Sequence, residues 1–164
     1  MKKLLLLIPF LGMMLYLASC GTHRAEAYYD FDSKVIANSL DGNYTLRVWG
    51  RGRNAARAYQ NARRTAVYDV MFKDIQIQSG TNTQATSVLR PLITELNAQE
   101  KYADYVNALF GNDKEFEKYC SIKTKRTVTT NYSRTDAQTV AQVTVLVNRQ
   151  KLKDKLIQDG IIKK

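Results

Sequence analysis

The chain has 164 residues, 25 lysines and arginines against 15 acidic side chains, a net charge of +10 and 45% hydrophobic content. That length fits one domain able to bury about 68–70% of its unfolded surface, and no repeat or low-complexity tract divides it. Two cysteines and a single histidine, His23, exclude a His/Cys metal centre, and no cofactor is implied.

The first element is a leader. Lys2 and Lys3 precede an apolar run from Leu4 to Leu17, which Pro9 and Gly12 interrupt. It falls short of the roughly 20 residues of a membrane span and reads as a secretory signal. Leu17-Ala18-Ser19-Cys20-Gly21 closes it and resembles the lipobox of bacterial lipoproteins. The resemblance implies cleavage after Ser19, acylation of Cys20 and anchoring to a membrane; two or more acyl chains, at about 0.8 kcal/mol per buried CH₂, hold stably. Gly21 after the cysteine, with no acidic cluster beyond it, resembles the sorting pattern of periplasm-facing outer-membrane lipoproteins. Loss of residues 1–19 removes Lys2 and Lys3, so 23 basic side chains remain against 15 acidic, a net charge near +8.

Residues 20–34 have no period and read as a tether, with a single domain over 35–164. Asp41-Gly42-Asn43 is a turn signal between "KVIANSL" and "YTLRVWG". In the second run Tyr44, Leu46 and Val48 alternate with Thr45, Arg47 and Trp49, as on a half-buried strand.

"GRG", Gly50 to Gly52, leads into a helix expected from about Asn54 to Asp74, with Asn54 as its N-cap. A dinucleotide-binding loop would need glycine where Ala55 stands, and no Walker-type Gly-Lys-Ser/Thr exists. On a helical wheel Ala55, Ala58, Ala62 and Ala66 lie within about 80°, opposite Arg53, Arg57, Gln60 and Arg64. The small face predicts close seating on a sheet, with Gly52 permitting the approach. Cations in a first turn oppose the helix dipole and repel one another at i,i+4. Arg51, Arg53, Arg57 and Arg64 therefore form a candidate anion-binding face, for lipid headgroups, lipopolysaccharide phosphates or an acidic protein. A solvated surface of no particular role is the simpler reading of the same arginines. Val67, Met71 and Ile75 fall on the arginine side, so the helix's second half needs a second cover, expected from "LKDKLIQDGII".

A further helical region is expected over about Ala85–Tyr119, divided by Gly111. Glu95, Glu100, Asp104, Glu115 and Glu117 could supply carboxylates for acid–base chemistry, with Tyr102 and Tyr105 nearby. Glu100, Lys101 and Asp104 read as an exposed helix face, and no nucleophile or histidine accompanies them, so no enzyme is expected. Cys120, left alone once Cys20 is acylated, is either buried and inert or a site of intermolecular pairing, and its place after an amphipathic segment favours burial. Strands over Ile122–Thr130 and Thr139–Val147 follow, the second placing Ala141, Val143, Val145 and Val147 on one face. A short helix, "RQKLKDKLIQD", ends at Gly160.

The sum is an α+β two-layer sandwich: a mostly antiparallel sheet of three to four strands, a long Ala-faced helix and a C-terminal helix. The strand, "GRG", Ala-spaced helix and closing "VAQVTVLVNRQKLKDKLIQDGI" resemble small outer-membrane lipoproteins, the amino-terminal domain of flagellar assembly protein T and the curli-secretion lipoprotein domain. The resemblance covers Tyr44–Asp74 and Thr139–Ile162, and the middle segment departs from it. It implies a non-enzymatic scaffold or assembly role in the cell envelope, through a protein partner; the compartment argues against nucleic acid. The alternative is a module binding anionic lipid, lipopolysaccharide or an acidic ligand through the arginine face.

Overall fold

The computed structural model describes residues 31–39, 41–77, 87–111, 113–130 and 138–163, all within one compact unit, Phe31–Lys164. The leader, Cys20 and His23 lie outside the described residues.

Strands β1 (Lys34–Asn38) and β2 (Asn43–Gly52) form the hairpin that the Asp41–Asn43 turn predicts. Gly42 has φ 73° there, a conformation that glycine adopts without a Cβ clash. Helix α1 (Ala55–Phe72) follows, then β3 (Ile75–Ile77) and β4 (Val88–Leu89). Two short helices, α2 (Ala98–Lys101) and α3 (Ala103–Leu109), lead to a 3₁₀ turn over Glu115–Tyr119. Strands β5 (Cys120–Thr130) and β6 (Gln138–Asn148) and helix α4 (Arg149–Gln158) complete the chain.

The fold is α+β, but its sheet has six strands, in the order β4-β3-β1-β2-β6-β5, rather than three or four. It is mixed, because α1 carries the chain back to lay β3 parallel to β1. The expected helical region over Ala85–Tyr119 is corrected too: it holds β4, two short helices and the 3₁₀ turn.

Alternation builds the core. Leu46, Val48 and Gly50 on β2 and Ala141, Val143, Val145 and Val147 on β6 face α1 and are buried, as are Ala58, Ala62 and Ala66 on the helix. Each fully buried valine or leucine contributes about 1.5–3 kcal/mol through its removal from water.

The cover of α1's last turn differs from expectation. The Leu92 amide donates to the Val70 carbonyl at 3.1 Å and the Ile93 amide to Met71 at 2.9 Å, so this segment satisfies carbonyls that a helix end leaves orphaned. Helix α4 instead packs chiefly against β2 and the 3₁₀ turn, burying Leu152 and Leu156. Two tyrosines tie its far end to α2 and α3: Tyr105 donates to the Asp159 carboxylate at 2.7 Å and Tyr102 to the Ile161 carbonyl at 3.2 Å.

Candidate functional site

The "GRG" turn is a helix seat. A Cβ placed on Gly50 would stand 2.0 Å from the Ala58 carbonyl oxygen and 2.5 Å from the Ala62 nitrogen. One placed on Gly52 would meet the Ala58 nitrogen at 2.6 Å. The space beside these glycines, where a bound phosphate would have to sit, is filled by α1's own backbone. Gly50 makes the closer approach, though Gly52 was the expected one, and it pairs across the sheet with buried Ala141. Asn54 caps the helix by accepting from the Arg57 amide at 2.9 Å, and Asn61 donates to the Arg51 carbonyl at 2.7 Å.

The four candidate arginines divide. Arg51 is exposed on β2 and lies 4.3 Å over the Phe31 ring, which meets Trp49 edge-on at 5.5 Å. Arg53 and Arg57 are exposed around the first turn of α1 and make no ion pair among the described residues. Arg64 is half-buried and points elsewhere. It donates to the Phe110 carbonyl at 2.7 Å, at the end of α3, with its guanidinium 5.7 Å from the Phe116 ring. A guanidinium at a helix C-terminus meets the negative end of the helix dipole, so its charge has an internal use.

Arg63, absent from the expected face, is a second structural cation. It reaches the Glu117 carboxylate at 3.1 Å and the Cys120 carbonyl at 3.3 Å, fastening α1 to the 3₁₀ turn and the start of β5. Asp69 was also missed: it is only 4% exposed on α1, accepts from the Ser33 hydroxyl and holds the Lys73 ammonium at 3.2 Å.

Cys120 is buried and free, its thiol donating to the Phe116 carbonyl at 3.6 Å. Burial pushes the thiol's pKa up and Arg63 only partly opposes this, so the reactive thiolate is disfavoured.

The carboxylates do not converge. Glu95 pairs with Lys101, whose hydrogen bond holds it below the usual carboxylate range. Glu115 lies 3.5 Å from Lys155, and Glu117 is held by Arg63. Glu100 and Asp104 are exposed on α2 and α3. Among the described residues no three His, Cys, Asp or Glu side chains are placed to hold a metal ion, and no helix is long and apolar enough to cross a membrane.

What stands open is a charged sheet margin. β5 is the last strand in the sheet order, and its described pairing is with β6 alone. Lys123, Lys125 and Arg126 are exposed on it, and a register shift between Ile122 and Thr124 bulges the strand at Lys123. Beside it runs an open groove of about 590 Å³, lined by Arg63 and by Cys120 to Lys125.

No protein-family model matches the chain, and no curated protein or solved structure matches it either.

Proposed function

We propose that the chain is a lipid-anchored protein of the bacterial cell envelope, held by acylated Cys20 in the periplasm-facing leaflet of the outer membrane. It acts without catalysis, as a scaffold or assembly factor through contacts with a protein partner. The observation that carries this reading is the division of its charges. Arg63, Arg64 and Lys155 are engaged inside the fold. Arg53, Arg57, Lys123 and Arg126 stand exposed and make no ion pair among the described residues. Unmatched exposed cations suit an anionic contact surface better than they suit stability. The candidate carboxylates Glu95, Glu115 and Glu117 are each held by a cation, which supports the non-catalytic reading.

The anchor is tested by acyl labelling and fractionation of Cys20→Ala. We expect the label to vanish and the protein to leave the membrane fraction; an unlabelled variant that stays membrane-bound overturns the lipid anchor. Crosslinking in the intact envelope should then capture a protein neighbour. The alternative, binding of anionic lipid or lipopolysaccharide, draws its support from Arg51, Arg53 and Arg57 near the start of α1.

A further inference from the structure

The reading of the chain as a binding protein leaves the contact surface unassigned, and the sheet's margin supplies one. A terminal strand carries a row of backbone N–H and C=O groups with no ladder partner on its outer side, which templates another strand. β5 is such a strand, eleven residues long and bordered on the described side only by β6. An edge of that length is usually guarded, and here the guards are Lys123, Lys125, Arg126 and the bulge before Thr124.

Guards of one sign also select. β5 contains three cations and no acidic residue. A second copy of this chain, laid β5 against β5, would set like charges side by side across the new ladder, which is destabilising. An acidic strand would instead place carboxylates opposite Lys123, Lys125 and Arg126. Lys125 is already poised, with its ammonium 5.0 Å over the Tyr59 ring and its stem along the groove. Arg63 at the groove wall is neutralised by Glu117, so the discriminating charge lies on the strand itself.

We propose that the outer edge of β5 takes an extended acidic segment of a partner protein as a seventh strand. Backbone hydrogen bonds hold the segment, and its carboxylates are read by Lys123, Lys125 and Arg126. This proposal rests on the binding role given above and deepens it.

The test uses the full-length chain in detergent micelles and a fluorescent peptide of about ten residues, repeating Thr-Thr-Glu-Glu so that carboxylates lie on both faces of one strand. Saturable binding is expected, with slowed amide hydrogen exchange confined to residues 120–130. The same peptide N-methylated at alternate amides keeps its charge but loses ladder donors, and should bind about tenfold more weakly or worse. Charge reversal in Lys123→Glu/Lys125→Glu/Arg126→Glu should abolish binding, with unchanged circular dichroism showing that the fold persists. The neutral triple glutamine variant serves as a second probe if reversal unfolds the domain, and should weaken binding without abolishing it. Equal binding of the N-methylated peptide, or protection of residues 120–130 by anionic vesicles but not by the peptide, overturns strand addition. None of these outcomes touches Cys20 labelling or envelope crosslinking, so failure here is separable from failure of the functional reading.

Discussion

Gly50 and Ala58 are in backbone contact: the glycine's missing Cβ leaves just the room that the alanine's carbonyl oxygen occupies. Because the obstacle is helix backbone and not the end of a flexible side chain, it cannot turn aside. Gly50→Ala must lift α1 from the sheet and should destabilise the domain by about 3 kcal/mol, at the upper end for overpacking. Ala62→Leu, on the same buried face, should cost about 1–3 kcal/mol. Urea unfolding monitored by Trp49 fluorescence measures both. A wild-type midpoint for either variant would show that the helix is not seated as described.

Arg64→Ala should behave as a stability variant and not as a binding variant. It removes a charged hydrogen bond to the Phe110 carbonyl, an interaction worth about 1.5–3 kcal/mol. Arg53→Ala/Arg57→Ala should leave the midpoint unchanged, since neither side chain is engaged in an ion pair among the described residues. If the arginine face binds lipopolysaccharide or anionic liposomes, the double variant lowers retention, and added salt does the same. Loss of retention in Arg64→Ala alone, with an unchanged midpoint, would return Arg64 to that face.

Alkaline pH should destabilise the domain. Burial raises the Cys120 thiol above its ordinary value, and it raises the Tyr105 and Tyr119 phenols in the same direction. Each group is therefore protonated in the folded state over a range in which the unfolded state has already ionised. Stability is then full below the unfolded values, about 8.5 for a thiol and about 10 for a phenol, and falls as pH rises through them. Cys120→Ala should flatten the first part of this decline and Tyr105→Phe the second, in urea titrations across the alkaline range. A stability that rose over the same range would contradict the burial of these groups.

Cys120 should also resist alkylation at neutral pH until denaturant is added, because the thiol is both shielded and held protonated. Mass spectrometry after brief iodoacetamide treatment reads this directly. Fast labelling of the folded chain would mean that the start of β5 opens from the core.

Much of the scaffold was legible in the residues. The alanine period of α1, the glycines before it and the alternation of Val143, Val145 and Val147 each impose a geometry that periodicity alone reveals. β3 and β4 were not legible, since three and two residues are too few to display a period. The engagement of the arginines was not legible for a different reason. Arg63 and Arg64 are satisfied by backbone carbonyls of residues 46 to 57 positions away, and a carbonyl has no signature in sequence. Residue type therefore announced a charged face, while only the fold could separate the internal pegs from the exposed cations.

The strand order has a consequence for the timing of folding. β6 lies between β2 and β5, pairing Asn148 with Asn43, about a hundred residues earlier in the chain. The strand that joins β5 to the rest of the sheet is thus supplied almost last, and α1 lacks part of its sheet platform until β6 arrives. Such distant pairing is slow to close and gives the amino-terminal half little to fold onto alone. A chain delivered across a membrane from its amino terminus would stay unfolded, and so threadable, until nearly all of it had passed.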